Sequence, residues 1–112
     1  MIIVRITMNA FLEKRTEVMQ TLISMIEPTE NEMGCLSCHV YRDVEDKNIF
    51  SLIEDWKTRE DLDHYMKSNR FSVLLGTKSL LSEPPEIQIL TVSHSEGMET
   101  VNAARGKCPQ YR

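Results

Sequence analysis

Apolar residues first alternate along this chain and then change period. Ile2, Val4, Ile6 and Met8 share one side of an extended run, and Ile3, Arg5, Thr7 and Asn9 share the other. β-branched residues fill the run and favour a strand. From Glu13 to Glu27 the spacing becomes helical. Val18, Leu22, Met25 and Ile26 recur at three- and four-residue steps, opposite Lys14, Arg15, Glu17 and Gln20. Pro28 is expected to stop this helix, because it has no amide hydrogen and restrains the residue before it. Cys35 to Arg42 reads as a second strand, with Leu36, Cys38 and Val40 on one side and Cys35, Ser37, His39 and Tyr41 on the other. After the polar turn Asp43–Asn48, Ile49 to Trp56 reads as its hairpin partner. Phe50, Leu52, Glu54 and Trp56 share a face of that third strand.

Thr58 opens a short helix with Asp61 three residues later, an imperfect capping box. Leu62, Tyr65 and Met66 would face inward from it. Ser68 is placed to cap a further helix, Asn69 to Leu81, in which Phe71, Leu74, Leu75, Lys78 and Leu81 follow helical spacing. Gly76 weakens that helix or marks a bend or close contact. Pro84-Pro85 ends it, and Ile87 to Val92 forms a fourth strand. The order is βαββαβ, the split βαβ pattern of a ferredoxin-like α+β unit with an antiparallel sheet. Helices would cover one sheet face. The other would be left bare, with apolar residues on it, which predicts a homodimer that stacks sheet on sheet. Residues 1–94 form the domain; 95–112 are expected to be a loose tail or a dimer arm.

Composition narrows the classes. The 112 residues carry a net charge of -4, with 41% hydrophobic and 27% charged residues, which is ordinary for one globular domain. Mild acidity argues against nucleic acid, which needs a basic stripe. No apolar run is long enough to span a bilayer, and the N-terminus lacks the features of a signal peptide. Three cysteines, an odd count, fit a reducing, cytoplasmic setting better than a disulfide scaffold. Glycine-rich phosphate loops, paired-carboxylate metal motifs and H-E-x-x-H spacing are absent from the sequence.

Cys35-Leu36-Ser37-Cys38-His39 has the spacing of a c-type haem attachment site. Strand alternation places Cys35 and Cys38 on opposite faces, which opposes haem attachment and a short disulfide alike. A zinc site would need a second knuckle; only Cys108, near the terminus, remains. Cys38 is therefore read as a small core residue. His64 and Tyr65 point about 100° apart on their helix, so one faces inward. Either would serve proton transfer: His64 as a base of near-neutral pKa, Tyr65 as a hydroxyl that orients a ligand oxygen. Periodicity favours a surface His64 and an interior Tyr65. Glu54, beside Trp56, would be costly to bury alone, and Arg42 or Arg5 would relieve it. Trp56 is a candidate flat wall for an aromatic ligand. Asn9 would cap locally or hold a ligand oxygen.

The stretch from Gly34 to Phe71 resembles the antibiotic biosynthesis monooxygenase family. The resemblance rests on Gly34-Cys35-Leu36, Tyr41-Arg42-Asp43, Phe50, Glu54-Asp55-Trp56, Thr58, Leu62, Ser68 and Phe71. The element order over residues 2–92 agrees with it. It implies a dimeric α+β barrel of two ferredoxin-like units. It also implies a cofactor-independent monooxygenase acting with O₂ on a quinol or other electron-rich phenol. His64, Tyr65 and Asn9 are then the candidate catalytic residues, and Trp56, Phe71, Glu54, Arg42 and Leu75 the candidate substrate-binding residues. No metal or cofactor is expected. The sequence departs from the family pattern at the helix position where histidine is usual, which holds Tyr65, with His64 one step early. Arg70 stands at a second such position. Leu75 stands where the haem-degrading branch carries an iron ligand, which disfavours haem. A non-catalytic small-molecule-binding dimer, or a non-redox isomerase or lyase of small hydroxycarbonyl compounds, are the alternative functions.

Overall fold

The computed structural model describes residues 1–106, and the order of its elements follows the polarity pattern. Strand β1 (Ile2–Asn9) leads through a 3₁₀ turn (Leu12–Lys14) into helix α1 (Arg15–Glu30). Strands β2 (Cys35–Arg42) and β3 (Ile49–Trp56) form the hairpin. Helices α2 (Arg59–Met66) and α3 (Asn69–Gly76) follow, then a 3₁₀ turn (Thr77–Leu80), strand β4 (Glu86–Thr91) and helix α4 (Met98–Ala104). The four strands lie in the order β2-β3-β1-β4, with every neighbouring pair antiparallel. This is the α+β ferredoxin-like arrangement. No helix of the described residues is long and apolar enough to cross a membrane.

One sheet face is closed by the helices. Ile2, Val4, Ile6 and Met8 of β1 lie beside Phe50, Leu52 and Trp56 of β3, all buried. Val18, Leu22 and Met25 of α1, Leu62 and Tyr65 of α2, and Phe71 and Leu74 of α3 complete the core. The starts of α2 and α3 are fixed by side chains, as their sequences imply. Thr58 Oγ1 accepts from the Asp61 amide at 3.1 Å and donates to Asp61 Oδ2 at 2.9 Å. Ser68 Oγ accepts from the Phe71 amide at 3.3 Å. The sharp passage from α1 to β2 is made by Gly34, whose φ of +83° suits glycine. Its carbonyl accepts from the Lys57 amide at 2.8 Å, tying the start of β2 to the end of β3.

Several local expectations are corrected. Pro28 lies inside α1, which continues to Glu30. A proline so near the end costs only one terminal hydrogen bond, and its own carbonyl is taken by Arg70 Nη1 at 3.1 Å. The third helix changes to 3₁₀ geometry after Gly76, and its buried stripe becomes Phe71, Leu74, Thr77 and Leu81. The tightening begins only at Thr77; Leu75, still in α geometry, stands about 100° round the helix from the buried Leu74 and faces outward. The glycine itself meets no close contact, and its φ is an ordinary -64°. Residues after β4 are not all loose, because Met98–Ala104 is helical; Cys108 lies outside the described residues.

The largest correction is in β2. The pairings Cys35↔Trp56, Ser37↔Asp55 and Cys38↔Glu54 leave one extra residue on β2, a β-bulge. Past the bulge the alternation shifts by one. Cys35 and Cys38 therefore share the helix-covered face, and Leu36 is exposed.

Candidate functional site

The alternation of β3 places Glu54 and Trp56 on the helix-covered face, and the helices then close over both. Glu54 is 0% exposed, in the interior of that face. Its Oε1 accepts a hydrogen bond from Trp56 Nε1 at 3.0 Å. Its Oε2 is buried and has no partner among the described residues. Burial therefore raises the carboxyl above its ordinary value, with the indole bond opposing the shift. Neither arginine proposed to relieve it does so. Arg5 lies on the opposite sheet face, where Nη1 donates to Gln88 Oε1 at 3.3 Å. Arg42 sits at the far end of the hairpin, donating to the Lys47 carbonyl at 3.0 Å and covering the Phe50 ring at 5.2 Å.

Helix α2 turns Tyr65 inward. Its ring stacks on Trp56 with centroids 4.8 Å apart, and Phe71 meets it edge-on at 5.5 Å. The Tyr65 hydroxyl pairs with the buried Thr29 hydroxyl at 3.4 Å. Burial, and then the Glu54 charge, hold the phenol above its usual range, so it acts as a neutral hydroxyl. Burial, followed by Glu54, also pushes the Cys35 thiol up to about 11 and the Cys38 thiol up to about 12. The cluster is thus three rings packed in series, with one underbonded carboxyl bonded at the Trp56 end and neutral hydroxyl and thiol groups nearby. It can exchange a proton at Glu54, while the rings of Trp56, Tyr65 and Phe71 fill the space beside it by packing on one another.

The structure separates the residues singled out from sequence. Glu54, Trp56, Tyr65 and Phe71 meet. His64 is exposed one position away on α2 and does not join them. Leu75 is 43% exposed on the outside of α3. Asn9 faces the open side of the sheet and donates from Nδ2 to Glu83 Oε1 at 3.3 Å. It lines a separate hollow of about 520 Å³ with Thr7, Ile49 and the segment Glu83–Glu86. Thr29 and the bulged Cys35 were missed. Thr29 is polar and follows a proline, so nothing in its spacing signals burial.

Residues 1–74 match the antibiotic biosynthesis monooxygenase family. The chain belongs to that family. An uncharacterized Synechocystis protein, sll1783, is 29% identical over 85 residues, covering 75% of this chain. The chain spans 58% of that relative's length. A conserved protein of Methanosarcina mazei is 31% identical, with a TM-score of 0.74 over 80% of this chain and 89% of that one. A candidate antibiotic biosynthesis monooxygenase of Deinococcus radiodurans shares the fold, with a TM-score of 0.79 at 20% identity over 87% of this chain and 97% of that one. Rv0793 of Mycobacterium tuberculosis does likewise, with a TM-score of 0.78 at 23% identity over 86% and 98%. The family match takes in the whole Glu54, Trp56, Tyr65 and Phe71 cluster and ends within α3.

Proposed function

We propose that this family member is a cofactor-independent monooxygenase of quinols or other electron-rich phenols, with Glu54 as the proton acceptor. The observation behind this reading is the buried, unpartnered Glu54 Oε2 beside a wall of three aromatic rings. A phenolic hydroxyl placed at Oε2 would complete its hydrogen bonding and hand over its proton. A carboxyl raised by burial is better matched to that task than an exposed one. The phenolate then gives an electron to O₂, and the two radicals combine to form a carbon–oxygen bond. For a hydroquinone, one oxygen atom enters the ring, the other leaves as water, and the product is a hydroxyquinone. No external reductant is needed, because the quinol supplies the electrons. Trp56 holds Glu54 by its indole N–H, Tyr65 offers a neutral hydroxyl, and Phe71 closes the edge. Glu54, Trp56 and Tyr65 are closed to water, so access requires the short helices α2 and α3 to swing from the sheet. Two such units would pair through their open sheet faces.

Oxygen uptake with a panel of hydroquinones tests the assignment. Wild type is expected to consume O₂, and Glu54→Gln to lose about 100-fold or more of the rate, the usual share of a general base. His64→Ala should keep the wild-type rate. A Glu54→Gln protein as active as wild type would refute the assignment. A second reading is a non-catalytic ligand-binding protein, supported by the open hollow of about 520 Å³ at Thr7, Asn9 and Ile49, which needs no helix movement to be entered. Quinol binding without any oxygen uptake would select it.

A further inference from the structure

The bulge that opens β2 has a chemical consequence. Cys35 lies opposite Trp56 and Cys38 opposite Glu54, so two steps of β3 match three steps of β2. Both thiols are free and look to the same face; Cys38 is buried and Cys35 half-buried. Same-face strand neighbours stand about 7 Å apart at Cα. A disulfide is disfavoured there, because its Cβ atoms must approach to about 3.8 Å. Two sulfurs leaning toward one ion need only about 4.5 Å between them, twice a metal–sulfur bond of about 2.3 Å. Among the described residues no group of three His, Cys, Asp or Glu side chains is placed to hold a metal ion, which removes a tetrahedral zinc site. His39 gives no third ligand, since it is exposed and neighbours Tyr41 at 6.3 Å. Burial first, and then Glu54, hold both thiols protonated, so a metal ion must displace two protons to bind.

We infer that Cys35 and Cys38 form a two-coordinate site for a soft monovalent metal ion of the cuprous type. Thiolate pairs select such ions over harder ones. Two S–H bonds break, two sulfur–metal bonds form, and two protons pass to water; no electron is transferred. The Cys35 Sγ contact to the Ser37 carbonyl, at 3.5 Å, is released. The site does not depend on the oxygenase reading.

Cuprous ion is the probe. Reduced full-length protein is titrated anaerobically against a chromogenic cuprous chelator, in a Cys108→Ser background. A single tightly held ion per chain is expected, and Cys35→Ser should abolish its retention. Cys38→Ala should do the same. If that core change unfolds the chain, the half-buried Cys35 variant carries the test, with circular dichroism as its folding control. X-ray absorption should show two sulfur neighbours and no other close ligand. Retention of copper by Cys35→Ser, loss of it in Cys108→Ser alone, or a third close ligand would each overturn the site.

Discussion

Glu54 shows how one buried carboxyl ties stability to pH. Its ordinary value is 4.5, and the fold raises it through burial. The folded chain therefore binds that proton more tightly than the unfolded chain. The stabilising contribution is fully present below about pH 4.5 and falls away as pH rises through the raised folded value. Relative to Glu54→Gln, wild type should lose stability across that window and run parallel above it. Urea melts of both proteins from about pH 4 to about pH 8 would show this as a changing difference, and a constant difference would contradict a raised carboxyl. That Glu54 and Trp56 share a face was legible from strand alternation alone. The depth of Glu54 was not, since it depends on where α1 and α2 settle over the sheet. The choice between His64 and Tyr65 was legible as far as helical spacing goes. Tyr65 follows Leu62 at three residues and turns inward with it, and His64 does not. Leu75 follows Phe71 by four residues and Leu74 follows it by three, both helical steps, and only the packing of α3 decides that Leu74 turns inward and Leu75 outward.

At the level of elements, two glycines of the same composition class behave oppositely. Gly34 holds a φ of +83°, and an added Cβ would run into the Asp61 side chain that helps cap α2. Gly34→Ala is expected to cost about 1–3 kcal/mol, from the left-handed backbone and the clash together. Gly76 has a helical φ and open space where a Cβ would go. Gly76→Ala is expected to add up to about 1 kcal/mol, by helix propensity and reduced freedom of the unfolded chain. Chemical denaturation of the pair checks both signs, and a stabilised Gly34→Ala would contradict the geometry of the α1–β2 passage. Strand and helix identities follow directly from periods of two and of three to four. Their irregularities do not. The bulge at Cys35–Ser37 leaves no mark in the polarity pattern, because Cys35 and Ser37 are both small and suit either face. Pro28 reads as a stop signal, yet Arg70 and the nearby helix end make it tolerable where it stands.

For the whole molecule, the order of strands and helices was legible because each element carries its own period, and βαββαβ connects in few ways. The open sheet face was read less well. It is mixed rather than bare and apolar. One row across it runs Ser37, Asp55, Ile3, Leu90, and the next runs His39, Ile53, Arg5, Gln88. Ile3 and Ile53 stay half-buried by their neighbours, and Leu90 is 38% exposed. A face of this kind suits a homodimer whose apolar centre is ringed by polar groups. Ile53 lies between Arg5 and His39 near that centre. Ile53→Lys would set a cation beside Arg5 in each copy, with no room for its hydration once two sheets meet. The expected outcome is a dimer for wild type and a monomer for Ile53→Lys, by size-exclusion chromatography with light scattering. The side chain points away from the Glu54 cluster, so the fold around that cluster should persist. Trp56, the single tryptophan, reports on it directly, and its emission should be unchanged in the monomer. A wild-type protein that is monomeric at micromolar concentration would remove the sheet-to-sheet pairing. So would a variant that stays dimeric, while the interior site would stand in either case.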